Sequence, residues 1–297
     1  MAANGNITRT IGDVTITRME EAYGPAFPAD VLMPSWEPGV IADHGPDVIA
    51  QFVEPETNLA LVSVHSWVVQ TPQKTILVDT CNGNHKERNM EGMGGLETDW
   101  LDRLKAMGVQ PEDVDAVVCT HIHLDHVGWN ASLVDGEWVP TFPNATHYFN
   151  RIEYEFWNPD ITDQTGLEFN ANVFDDSIRP VFDRDLVELW EGNDCQVDDS
   201  MRLELSPGHT PGHNIAWLES GGERALFSGD AMHSPVQVLK PEWNSGFCID
   251  GERSAASRRA ILERAVEHDA LLLPAHFSAP HAYRVEATNG GFRPVDA

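Results

Sequence analysis

The chain has 297 residues, enough for one large α/β domain, and its 41% hydrophobic content leaves ample material for a core. Lys and Arg number 19 against 47 Asp and Glu, a net charge of -28, so the surface repels phosphate backbones and a nucleic-acid partner is disfavoured. No apolar run approaches the ~20 residues that a bilayer-spanning helix needs, so no membrane partner is expected.

The four cysteines, Cys81, Cys119, Cys195 and Cys248, lie far apart and include no C-x-x-C pair. That spacing suggests neither a disulfide framework nor a zinc knuckle, and it suits a reducing compartment. The start, Met1-Ala-Ala-Asn-Gly-Asn6, has no basic segment leading into an apolar stretch. No secretory signal is expected from it, and a cytoplasmic location is the expectation.

In chain order, Asp13–Met19 alternates apolar and polar residues and reads as a half-buried strand. Residues 20–58 read as a long N-terminal loop or arm, punctuated by Pro28, Pro34, Pro38, Pro46 and Pro55 and carrying Phe27, Met33, Trp36 and Phe52. Such a connection packs over the core or works as a lid or interface arm, and a homodimer through it is an expectation. Leu59–Gln70 and Lys74–Thr80 read as a hairpin across Thr71-Pro-Gln73, ending in the polar loop Asp79–Gly83. Thr98–Met107 has helical spacing and stops at Gly108. The β-branched run Ala116-Val-Val then leads into His121-Ile-His-Leu-Asp-His126.

Beyond that hexapeptide, Trp129–Pro140 reads as a polar loop, His147–Asn150 as a strand and Arg151–Trp157 as a short aromatic helix. Residues 160–184 are expected to add helix, and Leu186–Trp190 and Met201–Leu205 to add strands. Ile215–Leu218 and Arg224–Phe227 form a second hairpin, Arg253–Glu267 an amphipathic helix and Ala270–Leu273 a last strand. Two β-rich halves with helices interspersed argue for two packed sheets covered by helices, in one domain spanning 1–297.

The hexapeptide carries the chemistry. On an extended backbone His121 and His123 point the same way, so two imidazoles converge. Asp125 and His126 follow where the strand gives out and face a second point nearby. His209, Asp230 and His276 each sit in a Gly- or Pro-containing turn directly after a strand. Together these are seven nitrogen and oxygen donors without sulfur, more than one tetrahedral site needs. Two metals are expected, with Asp230 suited to bridge them because a carboxylate has two oxygens.

His121-x-His-x-Asp-His126, His209 within Pro-Gly-His-Thr-Pro-Gly-His213, Asp230 within Ser-Gly-Asp and the late His276 resemble the metallo-β-lactamase superfamily over about residues 59–276. The resemblance implies an αββα four-layer sandwich, two mixed β-sheets flanked by helices, with a dinuclear site at one edge. It implies that His121, His123 and His209 hold one metal, Asp125, His126 and His276 the other, with Asp230 between. His213 lies outside that pattern, and a structural or supporting role is expected for it. Zinc suits the donors, with manganese, cobalt or iron as alternatives. A water between two cations loses its proton near neutral pH, so a metal-bridging hydroxide is the expected nucleophile. Asp125 would accept a proton in passing.

Three features narrow the substrate. His233, three residues after Asp230, resembles the methyl parathion hydrolase and related lactonase and aryl-esterase branch. In acyl-homoserine lactonases a Tyr stands in the comparable place, so His233 departs from them; its N–H would donate to the substrate oxygen or make a supporting hydrogen bond. The intact His123 and Asp230 argue against the flavodiiron branch. The acidic surface disfavours nucleic-acid processing and offers no partner for the carboxylates of a glyoxalase II substrate. Trp36, Trp67, Trp129, Phe149, Trp157, Trp243 and Phe247 divide between core and pocket, and a neutral apolar ester or lactone suits them. The expectation is a dinuclear hydrolase of carboxylic esters or lactones of hydrophobic small molecules. A phosphotriesterase is the alternative, followed by a glyoxalase II or β-lactamase, and then by a non-enzymatic metal-binding protein.

Overall fold

A computed structural model describes residues 7–41 and 46–297. β1 (Ile7–Ile11) and β2 (Val14–Pro28) form a hairpin, and β3 (Leu59–Gln70) pairs antiparallel along β2 before turning back into β4 (Thr75–Val78). The connection expected over 20–58 is therefore shorter than its sequence suggests, because residues 20–28 extend β2. Register shifts between Glu20 and Ala22 and between Pro25 and Phe27 break the two-residue alternation there. Three short helices follow: α1 (Ala29–Leu32), α2 (Pro38–Ile41) and α3 (Pro46–Phe52). Residues 42–45 of the expected arm lie outside the described residues. Met33 and Phe52 are fully buried and Trp36 packs edge-on to Phe52, so much of the arm's apolar surface is used within the chain.

α4 (Trp100–Ala106) leads to β5 (Ala116–Val118). A small hairpin, β6 (Ala131–Val134) and β7 (Glu137–Pro140), then replaces the expected polar loop. β8 (Thr146–Asn150), α5 (Arg151–Trp157), α6 (Arg179–Phe182) and β9 (Val187–Trp190) complete this half. The helix expected over 160–184 reduces to single turns at 168–170 and 174–178 and to α6. The second half holds β10 (Asp194–Gln196), β11 (Met201–Leu205), β12 (Asn214–Ser220) and β13 (Glu223–Gly229). Next come α7 (Val236–Leu239), α8 (Gly251–Glu267), β14 (Leu271–Pro274), and a terminal hairpin of β15 (Tyr283–Thr288) and β16 (Gly291–Asp296).

Among the described residues the strands form two seven-stranded sheets, ordered β1-β2-β3-β4-β5-β8-β9 and β10-β11-β12-β13-β14-β15-β16. Both are mixed, with parallel pairing from β4 through β5 and β8 to β9, and between β13 and β14. Alternation along each strand explains the layers. Ile16, Trp67, Val69 and Val118 of the first sheet meet Leu203, Ala216, Phe227 and Leu273 of the second. Val68, Leu77 and Val117 turn outward and meet Trp100 and Leu104 of α4, Trp157 of α5 and Val181 of α6.

On the far side, Trp217, Leu226 and Leu272 receive Ile261, Leu262 and Ala265 of α8. Each large aliphatic side chain buried this way contributes about 1.5–3 kcal/mol. Asp250 caps α8 by accepting the Arg253 N–H at 3.0 Å. The order helix, sheet, sheet, helix is the αββα sandwich that the resemblance implies. No described helix is long and apolar enough to cross a membrane.

Candidate metal centre

β4, β5, β11, β13 and β14 stop at one edge of the sandwich, and the donor-bearing turns begin there. After β5 the chain leaves the sheet at Thr120, and the rings of His121 and His123 lie 4.5 Å apart, centroid to centroid. The turn after β11 runs so close to two helices that only glycine fits. A Cβ on Gly208 would stand 2.1 Å from the Ser254 nitrogen in α8, and one on Gly212 would stand 2.3 Å from the Glu153 nitrogen in α5. The Pro-Gly-His-Thr-Pro-Gly-His spacing is thus a packing requirement that delivers His209 and His213.

All seven donors expected from the sequence meet. His121, His123, His209 and Asp230 each place a ligand-type atom within 4.8 Å of the others, and Asp125, His126 and His276 do the same. Asp230 joins the two groups. Its Oδ2 lies 3.6 Å from His121 Nε2 and 3.3 Å from His209 Nε2. Its Oδ1 lies 3.4 Å from His126 Nε2 and 2.9 Å from His276 Nε2. His233 is adjacent, its Nε2 3.1 Å from Asp230 Oδ2 and its ring stacked on His276.

The electrostatics divide the rings around one carboxylate: burial would lower His126 and His276, but Asp230 and Asp125 outweigh it and hold both above the ordinary histidine value. Burial and neighbouring imidazoles push His121 and His123 well below the ordinary histidine value. Burial alone would raise the Asp230 carboxyl, but His276, His126 and His233 hold it well below the usual carboxylate range. His121 Nε2 and Asp230 Oδ1 are buried with no hydrogen bond of their own. Unpaired buried acceptors are costly, and a divalent cation at each group would satisfy them. The residues fit two such ions.

Outer partners fix how the rings point. His126 Nδ1 donates to Asp79 Oδ2 at 2.8 Å, while Asp79 Oδ1 accepts the Thr120 N–H. His276 Nδ1 donates to the Ser63 carbonyl at 2.8 Å. His213 sits behind Asp230, as the expectation of a supporting role has it. Its Nδ1 donates to the Ser206 carbonyl, and its Nε2 accepts the Asp230 backbone N–H.

Two carboxylates, the buried Glu153 and the half-buried Glu21, were not singled out in the sequence. Glu153 accepts from Ile122, Trp157, Thr210 and Gly212, tying the hexapeptide loop to the His209 loop. Glu21, at the first bulge of β2, accepts from Asn82, Gly83 and Trp129 on the opposite side. A lone Glu in a strand or helix carries no local sign of either task.

A cleft of about 440 Å³, counting its open mouth, lies over the centre. Asp125, Asp230, His233 and His276 form its floor, and Phe27, Leu32, Met90, Met93, Phe169 and Phe247 line its walls. Of the seven rings weighed in the sequence, Phe247 lines the cleft. Trp67 is in the core between the sheets, while Trp129, Phe149, Trp157 and Trp243 are in the core under the helices.

Comparison with known proteins places this geometry. The chain is 31% identical over 204 residues to the N-acyl homoserine lactonase AttM of Azorhizobium caulinodans, covering 61% of this chain and 68% of that protein. AttM of Rhizobium radiobacter matches at 29% over 188 residues, 59% of this chain and 63% of that protein. The N-acyl homoserine lactonase of Bacillus cereus matches at 26% over 232 residues, 74% and 83% of the two chains. Among solved structures the fold matches the hydrolase AbOPH of the beta lactamase superfamily, with a TM-score of 0.81 at 24% identity, over 100% of this chain and 99% of that one. It also matches AidC, a dizinc quorum-quenching lactonase, with a TM-score of 0.77 at 21% identity, over 99% and 97%. The superfamily's own sequence signature matches residues 59–276, which include all seven donors, and the chain belongs to the Metallo-beta-lactamase superfamily.

Proposed function

We propose that this chain is a dinuclear metal-dependent hydrolase that opens the carboxylic ester or lactone bond of a hydrophobic small molecule. One observation carries the reading: the two oxygens of Asp230 face two separate groups of donors beneath an apolar cleft. His121, His123 and His209 would hold one ion, Asp125, His126 and His276 the other, and Asp230 both. Zinc suits these donors, with manganese, cobalt or iron as alternatives. Held by these residues, two such cations would supply a water of lowered pKa and a Lewis acid for the substrate oxygen.

The chain's own groups do the rest. The cleft walls exclude water and hold the apolar part of the substrate. Asp125, partly open to the cleft, takes up the proton released during attack. His233 is the polar group best placed on the cleft floor to donate to the substrate oxygen. The curated relatives' names make N-acyl homoserine lactones the first lactones to test. The four cysteines are unpaired, which suits a reducing compartment, and a cytoplasmic location is part of this reading.

The test is metal analysis of the purified protein together with a panel of acyl lactones, aryl esters, phosphotriesters and β-lactams. Two equivalents of metal with turnover of lactones or esters support the reading. Turnover confined to phosphotriesters or β-lactams, or a full metal complement with no turnover on the panel, overturns it.

A further inference from the structure

The donors of the two metal positions are held from behind by partly different residues, although Asp79 also reaches His121 through the Thr120 hydroxyl. His126 and His276 lean on Asp79, just past the end of β4, and on the carbonyl of Ser63 within β3. The other position depends on Glu153 in α5. One oxygen, Oε1, accepts the Ile122 N–H at 2.9 Å and the Trp157 indole N–H at 2.8 Å. The other, Oε2, accepts the Thr210 hydroxyl at 2.7 Å and the Gly212 N–H at 2.9 Å. Ile122 lies between His121 and His123, and its carbonyl is held in turn by Asn170 Nδ2 at 2.7 Å. Thr210 and Gly212 lie one and three residues after His209. Trp157 also packs edge-on to His123, with ring centroids 5.3 Å apart. A single carboxylate, 1% exposed, therefore bridges the two loops that supply His121, His123 and His209.

We propose that Glu153 is a positioning residue for one metal position only, the one held by His121, His123 and His209. This rests on the ligand assignment proposed above. A carboxylate is needed because four donors converge on it and only an acceptor with two oxygens can serve all of them. The amide of Glu153→Gln would turn a donor toward either the Ile122 or the Gly212 N–H. Thr210 can reverse its hydroxyl to accept from that amide, so the amide nitrogen settles on the His209 side. Gly212 cannot reverse, and the loop carrying His209 loosens.

The experiment uses the full chain, stripped of metal and titrated with zinc against a chromophoric chelator. In Glu153→Gln one binding step is expected to weaken about 10- to 100-fold while the other stays unchanged. The position is identified by pairing the variant with ligand deletions. Added to His276→Ala, Glu153→Gln weakens the remaining zinc by the same factor. Added to His121→Ala, it leaves the remaining zinc unchanged. Should Glu153→Gln fail to fold, Thr210→Ala removes one of the four bonds and is expected to give a smaller shift at the same step. Equal weakening of both steps, or no weakening with only a lowered melting temperature, overturns the proposal. Zinc binding is read without turnover, so a protein that shows this pattern and hydrolyses nothing refutes the hydrolase reading alone. Equal weakening in an active hydrolase refutes the positioning role alone.

Discussion

The backbone N–H of Asp230 donates to Nε2 of His213 over 3.0 Å, so the residue that faces both donor groups is aimed by a ring behind it. Burial lowers His213 to about 4, which keeps its Nε2 lone pair free to accept at neutral pH. His213→Ala is expected to strand that buried N–H, costing about 1–3 kcal/mol of stability in the metal-free protein. It should also weaken metal binding about 10- to 100-fold. Denaturant unfolding and chelator competition measure the two effects, and wild-type values in both would show that the bond does no orienting.

Asp230→Asn keeps the shape but leaves one oxygen where two are used. Turnover is expected to fall by at least about 100-fold, and the bound metal to fall from two equivalents. In the wild type, chelation should abolish turnover and added zinc should restore it. A variant that retains both metals and full activity would remove Asp230 from the bridge.

His233 stands close enough to Asp230 and His276 to form a third metal-binding group with them. If it acts on substrate, His233→Gln lowers kcat by about 100-fold or more with two metals still bound. Loss of a metal from the variant would instead make it a ligand.

The cleft walls predict a preference for longer apolar groups. Each buried methylene is worth about 0.8 kcal/mol, or roughly 4-fold in kcat/KM. Phe247→Ala should flatten that rise along a homologous series of acyl lactones, chiefly through KM. Met93→Trp should shift the optimum to shorter chains, and an unchanged profile in both variants would place the chain elsewhere.

Away from the centre, burial lowers His147 to about 4, so the folded state holds this ring neutral. The unfolded chain takes up the proton below about 6.5, so stability from this ring is full above that pH and is lost as pH falls toward 4. The loss is on the order of 1–3 kcal/mol. Unfolding of the metal-free protein at pH 7 and pH 5 should show it, and His147→Gln should reduce the difference. An undiminished difference would assign the acid sensitivity to other groups.

That the seven candidate donors meet was legible in the sequence because each belongs to a short turn directly after a strand, where residue type and spacing act locally. The layered fold was legible for the same reason, through strand alternation and the α8 pattern. The extension of β2 was not, because its two bulges and Pro25 destroy the periodicity on which such a reading rests. The helix expected over 160–184 is broken into single turns and α6, whose Val173, Phe174, Ile178 and Val181 pack into the core beside the first sheet.

By itself the sequence determined which clustered residues are of metal-ligand type and roughly where along the chain they fall. Only the tertiary structure decided which of them gather at each oxygen of Asp230. It also decided that Glu153 and Glu21 fasten the loops, and that Phe27, Met90 and Phe169 wall the cleft. The physical reason is distance in sequence: Glu153 lies 31 residues from Ile122 and 57 from Thr210. Such partners are chosen by buried donors that need an acceptor once the sheets have closed, and no local pattern records that need.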